Sequence, residues 1–406
     1  MSEPASGRRS VTCCIVGGGP AGMMLGFLLA RAGVGVAVLE KHGDFFRDFR
    51  GDTIHPSTLE VMHELGLLAS FLERPHQEAQ EIGGIIGSTP VVMADFRHLP
   101  TRCKFVAIMP QWDFLDFIAQ EARRYAGFRL MMTAEAVDLV THDGRVVGVS
   151  ARTPQGLVEI DADLVVAADG RHSILREKAG LQVEERGAPM DVLWLRLSRR
   201  AADSGSVLGR VARGVIFVTI DRGDYWQCGF VIPKGSYEER RRRGIAALRA
   251  EIAALAPQFA DRVGELRDWD DVKLLTVAID LLPQWHRPGL LLIGDAAHAM
   301  SPIGGVGINL AVQDAIAAAN ILAVPLRDRA VTERDLAAVQ RRRMWPTRMT
   351  QRLQLFLQQR FVGRVLSGED NVHVPLVVRA LQIFPRLRRI PARIIGMGFR
   401  PEHVRD

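Results

Sequence analysis

Short uninterrupted apolar runs alternate with stretches in which apolar residues return every three or four positions, the pattern of strands that feed helices. Residues 11–16 are a continuous β-prone run, and the apolar helix after them runs through Leu25, Leu28, Leu29 and Ala32. Residues 35–39 form a second strand, and residues 56–65 an amphipathic helix stopped at Gly66. From 82 to 95, and again at 105–109, apolar residues alternate loosely with glycine and polar residues, which predicts an antiparallel excursion. A helix opens at Gln111-Trp112, with Phe114, Leu115, Ile118 and Ala122 on one face. Short strands follow at 128–132, 136–140 and 146–152, the last pairing with 157–160 across Pro154-Gln155-Gly156, and residues 164–168 read as a separate, buried parallel-type strand.

The runs 192–197, 215–220 and 225–232 predict a mostly antiparallel sheet. Residues 237–256 read as one charged helix with Arg240, Arg241, Arg242 and Arg243 on its solvated face, and 272–281 as a returning strand. Residues 290–293 form a buried strand, and helical spacing resumes from Ile308 through Ala311, Ala315 and Ala319. Two helical stretches are expected over 333–362, broken or kinked at Pro346. The tail spaces Leu376, Val377, Ala380, Leu381 and Phe384 helically, then mixes Arg386, Arg388, Arg389 and Arg393 with Ile390, Ile394 and Ile395. The whole is an α/β chain.

Length and composition agree with a globular protein of one large or two ordinary domains. The 406 residues are 48% hydrophobic and 24% charged. The net charge of +6 is uneven: residues 326–406 hold 17 arginines against 7 acids, a surplus of 10, so the remainder carries −4. No aromatic-interleaved basic face or nucleic-acid motif accompanies this tail, so no nucleic-acid partner is expected. A solvated edge, or a segment lying on an anionic bilayer, suits it better, though such segments more often pack back on their own domain. Cys13, Cys14, Cys103 and Cys228 have neither metal spacing nor a disulfide framework, which fits a reducing cytoplasm. The apolar stretch 308–326 contains Asn309, Gln313, Asp314 and Asn320 and is not expected to span a membrane.

Candidate chemistry gathers where strands end. Gly17-Gly18-Gly19-Pro20-Ala21-Gly22 supplies G-x-G-x-x-G between a strand and a helix. Gly17 permits the tight turn, Gly19 lets backbone approach a pyrophosphate, and Gly22 lets the helix pack on the strand. Glu40 closes the second strand 18 residues after Gly22, near the offset at which an acid accepts from a ribose hydroxyl. That carboxylate disfavours a 2′-phosphate, so the nucleotide is FAD or NAD. Two further strands stop at an acid and a small-residue turn, at Asp169-Gly170 and at Gly294-Asp295. After the latter, Pro302, Gly304, Gly305 and Gly307 strip side chains from a loop that leads into a helix N-terminus, which favours negative charge. Arg50, followed by Gly51, and Gln111 at a helix start could reach a cofactor or be an ordinary loop arginine and a cap.

These residues resemble, in order and rough spacing from 11 to about 323, the three fingerprints of the single-component FAD-dependent aromatic hydroxylases of the para-hydroxybenzoate hydroxylase type. The resemblance implies a Rossmann-like FAD-binding domain (1–75, 100–185 and 275–330), a discontinuous antiparallel-sheet substrate domain (76–99 and 186–274) and a helical C-terminal segment (331–406). It implies that Glu40 holds the adenosine ribose and that Arg50 and Gln111 contact the pyrophosphate and ribityl region. Asp295 would bind the ribityl side, Gly307, Ile308 and Asn309 would face the flavin ring, and Pro302 would border it where oxygen reacts. Asp169 would serve cofactor placement and the approach of NADPH; Ala21, Lys41, Val137 and Gly305 complete the cofactor set. Many relatives carry glutamine between the last two loop glycines, where this chain has Val306.

The implied activity is hydroxylation of a hydrophobic aromatic molecule with NAD(P)H and dioxygen through a C4a-hydroperoxyflavin, with Pro302 and Arg50 nearest the chemistry and no metal. Trp194, Phe217, Trp226 and Phe230 could line the substrate pocket or be core, and His98, Tyr225 and His286 are the candidate bases. The run Trp226-Gln227-Cys228-Gly229-Phe230-Val231-Ile232-Pro233 is faintly similar to signatures of flavin halogenases and prenyl reductases but lacks their second tryptophan. A flavoprotein that sequesters a ligand without turnover is the remaining alternative.

Overall fold

A computed structural model describes residues 9–46, 53–203, 208–212, 214–367 and 374–405. The chain builds on a sheet whose parallel centre is Leu290–Leu292, Gly156–Ala167, Arg9–Val16, Val36–Leu39 and Phe128–Met131, in that order. These strands are apolar because helices cover them: Pro20–Arg31 and Gly307–Arg327 pack on one face, and the Cys13, Ile15, Leu164, Val166 and Leu291 side chains point into their shared core. His286–Arg287, Glu135–His142 and Arg145–Thr153 join antiparallel.

Residues 157–160 and 164–168, expected as two strands, are one strand, Gly156–Ala167. Its first half pairs antiparallel with Arg145–Thr153 and its second half lies parallel between Arg9–Val16 and Leu290–Leu292. The polar Asp161 and Asp163 between the two apolar runs look like a break in sequence, but backbone pairing continues through them.

A second sheet of seven strands draws Glu81–Ile86 and Thr89–Asp95 together with Met190–Ser198, Leu208–Ala212, Val215–Asp221, Tyr225–Pro233 and Lys273–Leu275. Ile245–Leu255 covers one face, burying Leu248 and Ile252. The single helix expected over 237–256 is two, Tyr237–Arg242 and Ile245–Leu255, because Gly244 adopts φ +84 between them. The expected strand over 272–281 is likewise two short ones, Lys273–Leu275 and Asp280–Leu281.

Pro346 does not break its helix. Glu333–Leu357 runs continuously through it. A mid-helix proline removes one i→i−4 hydrogen bond, and here the burial of Arg343, Pro346, Thr347, Gln351 and Gln354 offsets that loss. Among the described residues one helical stretch, Ile303–Arg327, is long and apolar enough to cross a membrane, and 78% of its most apolar window is buried inside the fold.

Candidate active site

The parallel registers place Leu39, Val16, Ala167 and Leu292 side by side at the carboxyl ends of four adjacent strands. Glu40, Gly17, Asp169 and Asp295 therefore leave the sheet along one edge, where open α/β sheets hold their ligands. Packing demands glycine at two of these positions. A Cβ on Gly17, at φ +107, would lie 2.2 Å from the Ala168 carbonyl oxygen, and one on Gly22 would lie 2.0 Å from that of Gly17. Gly19 is different: a Cβ there meets nothing within 4 Å. Gly19 also caps Pro20–Arg31, whose first turn has no acidic residue and no side-chain cap, so no side chain satisfies the amides at that helix start.

Glu40 is held at this edge by backbone amides. Its Oε2 accepts from Gly18 at 2.9 Å and its Oε1 from His42 at 3.1 Å. The Glu40 carbonyl accepts from Ala134 at 2.9 Å, which brings the start of Glu135–His142, and the half-buried Val137 on it, beside this turn. Lys41 is exposed, and Gln111 opens Gln111–Ala122 half-buried. Arg50 lies outside the described residues.

Two arginines that the sequence reading did not single out tie the other two turns together. Arg171 Nη2 lies 3.8 Å from Asp295 Oδ2, while its Nη1 donates to the Thr276 carbonyl at 3.0 Å. Arg176 donates to the Ala296 and Arg171 carbonyls at 2.9 and 2.7 Å. Asp169 accepts from the Leu175 amide through Oδ2, and its buried Oδ1 has no partner among the described residues. Burial pushes the Asp169 carboxyl above its ordinary value, outweighing the hydrogen bonds from Ser173 and Leu175.

The glycine loop is braced from two sides. Gly304 and Gly305 take φ +81 and +63, and Thr53 Oγ1 and His55 Nε2 both contact the Gly305 carbonyl, at 2.9 and 3.0 Å. The Asn309 side chain turns away from the loop to accept from Ser57 and Thr58 at 2.6 and 2.9 Å, leaving its backbone in the first turn of Gly307–Arg327. That turn has no acidic residue and no side-chain cap, and a Cβ on Gly307 would meet nothing within 4 Å. Ile308 is buried beneath it.

From behind, Glu333–Leu357 and the turn after it present Gln351, Gln354 and Gln358 along one face. Gln351 donates to the Asp280 and Ala299 carbonyls at 2.6 and 3.0 Å. Gln354 donates to those of Ser301 and Ile303, both at 3.0 Å, and accepts from the Ser301 amide at 3.2 Å. Gln358 reaches Ser301 Oγ at 2.5 Å. Pro302 sits between these anchors. One turn deeper, buried Asp314 accepts from His298 at 2.6 Å, from Arg343 at 2.9 Å and from the Gly294 amide at 3.1 Å, so the acid turn bearing Asp295 is pinned to the core helix.

The candidate substrate aromatics divide by strand parity. Phe217, Trp226 and Phe230 are at most 4% exposed and pack with Phe259, Leu248 and Ile252 under Ile245–Leu255. They are core, not pocket, because alternate residues of these strands face that helix. Trp194 lies on the opposite face, in a cluster with Val192, Val231 and Ile303, the residue that follows Pro302. Of the candidate bases, His98 lies 3.8 Å from Asp95 after the sheet's edge strand, Tyr225 has Arg196 stacked over its ring at 4.6 Å, and His286 sits in the edge strand His286–Arg287. All four cysteines are buried and free; burial pushes the Cys14 thiol up to about 12, so it is no nucleophile at neutral pH.

The residues fit a flavin dinucleotide: an open glycine cradle at one helix start, an acid held at the end of the second strand, a buried carboxylate oxygen without a partner among the described residues, and a second uncapped helix start behind a side-chain-free loop. These features, gathered along one edge of the sheet, define a flavoprotein. The chain belongs to the FAD binding domain family, whose model matches residues 10–353, and within it to the FAD-dependent aromatic monooxygenases of the para-hydroxybenzoate hydroxylase type.

It is 33% identical over 392 residues to 6-methylpretetramide 4-monooxygenase of Streptomyces rimosus, covering 95% of this chain and 93% of that protein. It is 24% identical over 344 residues to para-nitrophenol 4-monooxygenase of Pseudomonas sp. (strain WBC-3), covering 82% of each. Among solved structures, PqsL of Pseudomonas aeruginosa, described as a probable FAD-dependent monooxygenase, matches with a TM-score of 0.74 at 21% identity over 89% of this chain and 99% of that one. The flavin-dependent brominase Bmp2 shares the fold at a TM-score of 0.74 and 16% identity, over 95% of this chain and 93% of that one.

Proposed function

We propose that this protein inserts one oxygen atom of dioxygen into a hydrophobic, multi-ring phenolic compound, with NAD(P)H as reductant, in a reducing cytoplasm. The observation that carries this reading is the near full-length likeness to 6-methylpretetramide 4-monooxygenase, which spans both the cofactor edge and the C-terminal helices.

FAD, when bound, supplies hydride acceptance and oxygen activation. The chain supplies position and field. Glu40 would hold the adenosine ribose, with Lys41 and Val137 beside it; the Gly17, Gly19, Ala21 and Gly22 backbone would receive the pyrophosphate, with Gln111 alongside, and the family resemblance assigns Arg50 to the same region. Asp295, steadied by Arg171, receives the ribityl hydroxyls, and Asp169 completes that end. The first turn of Gly307–Arg327, with Gly305, Ile308 and Asn309, stabilises negative charge on the ring by about 1–2 kcal/mol. Pro302, held between the glutamine anchors, and Trp194, across from Ile303, border the reacting face and exclude water from it.

The test is NAD(P)H oxidation by the purified protein in the presence of candidate polycyclic phenols, with mass spectrometry of the organic product. Stimulated oxidation with a product one oxygen heavier supports the reading. Tight phenol binding without stimulation identifies a sequestering flavoprotein, and turnover only with reduced flavin supplied from outside identifies halogenase-like dependence on a partner.

A further inference from the structure

We infer that the C-terminal surface formed by residues 376–400 docks on an anionic lipid bilayer. Leu376–Ile383 is an amphipathic helix mounted with its apolar stripe outward. Leu376, Val377, Ile383 and Phe384 are 80%, 68%, 69% and 60% exposed, while Val378, on the opposite side of the helix, is 7% exposed. At 100° per residue Leu376, Val377 and Ile383 share one face, and Phe384 follows them at the helix's C-terminal cap. The orientation is fixed from below: Gln382 donates to the Val92 carbonyl at 2.8 Å and accepts from its amide at 3.1 Å, capping the edge strand Thr89–Asp95. The helix therefore cannot roll its apolar face inward without uncovering that strand. Leu387 and Ile390, 39% and 59% exposed, extend the apolar surface into the next turn and into Arg389–Met397.

Charge selects the occupant. Residues 374–400 contain six arginines and no acidic residue, and Arg379, Arg386, Arg389, Arg393 and Arg400 are exposed. A second copy presenting the same face would bring like charges together around its apolar centre. A bilayer with anionic headgroups accepts both parts, taking the apolar side chains at the acyl boundary and the guanidinium groups at the phosphates. The inner side of the same segment, Ile394, Ile395 and Phe399, lines a small, mostly apolar cleft of about 80 Å³ that reaches Ile303 and Gly304 of the glycine loop. Docking would bring this cleft close to the membrane, where a hydrophobic compound is concentrated.

The experiment is flotation of the full-length flavoprotein with vesicles of phosphatidylcholine alone, or of phosphatidylcholine mixed with phosphatidylglycerol. Binding to the mixed vesicles and not to the neutral ones is expected. Arg386→Gln/Arg389→Gln/Arg393→Gln should reduce partitioning by roughly two orders of magnitude. Ile383→Ser/Phe384→Ser should reduce it at least about tenfold, with flavin content and circular dichroism unchanged because both side chains are exposed. Failure of the wild type to float with anionic vesicles overturns the inference. So does undiminished flotation of the Ile383/Phe384 variant, which would mean cationic adsorption alone, or a concentration-dependent dimer that this variant abolishes, which would assign the face to a second copy.

Discussion

Gln354 gives the sharpest test of how the glycine loop is held. Its amide makes three hydrogen bonds to the Ser301–Ile303 backbone, and the side chain is 3% exposed. Gln354→Leu keeps the volume and removes every partner. The Ser301 amide and carbonyl are buried, and a buried group left unpaired costs about 1–3 kcal/mol, so the native loop position becomes unfavourable by roughly 2–6 kcal/mol. The loop can escape that cost only by moving Pro302 toward water. Displacement of a positioned group by about 1 Å can lower turnover about 100-fold. Gln351→Leu is the control: its carbonyl partners, Asp280 and Ala299, precede the loop, so it should lower the melting temperature while leaving kcat nearly intact. Steady-state kinetics and thermal unfolding of both variants decide the matter. A Gln354→Leu enzyme with wild-type kcat and melting temperature would refute the bracing role.

Other perturbations read different parts of the frame. Arg343→Met leaves Asp314 buried against His298 with its arginine gone and should cost about 3–5 kcal/mol in urea unfolding, part of which Asp314→Asn on the same background should restore. Burial raises the Asp314 carboxyl, but His298 and Arg343 outweigh it and hold it below the ordinary carboxylate range. Its stabilisation is therefore present above the unfolded carboxylate value and lost as pH falls through the depressed folded one, which acid titration of stability in wild type and Asp314→Asn would reveal. Burial lowers His55 to about 4 despite carbonyl contacts from Ile395 and Gly305. Its contribution is full above the unfolded value near 6.5 and disappears as pH falls toward about 4, so His55→Gln should flatten the stability profile in that window. Gly19→Ala, whose Cβ meets no protein atom, should leave the apoprotein's melting temperature unchanged while weakening FAD binding in a fluorescence titration.

Much of this was legible in the sequence because strand ends announce themselves: an apolar run stopped by Gly17, Glu40, Asp169 or Gly294-Asp295 needs only local pattern to be seen. What escaped depends on tertiary neighbours. Nothing in the spacing of Arg171 and Arg176 says that they bridge to a turn more than a hundred residues later. Asp314 stood out only as a charge in an apolar stretch, a signal that pointed to a buried partner without naming His298 or Arg343. The glutamines at 351, 354 and 358 lie at helical spacing but read as a polar face. Phe217, Trp226 and Phe230 went to the helix-covered side because both faces of an antiparallel strand can be apolar, and alternation alone does not say which one meets the cofactor.

Turnover under isotopically labelled dioxygen tests aromatic oxygenation at the sheet edge most directly. With FAD bound, NADPH supplied and a polycyclic phenol present, one labelled oxygen atom should appear in the organic product, in step with reductant consumed. NADPH consumption that yields only hydrogen peroxide for every phenol tried, with no label in any organic product, would contradict it.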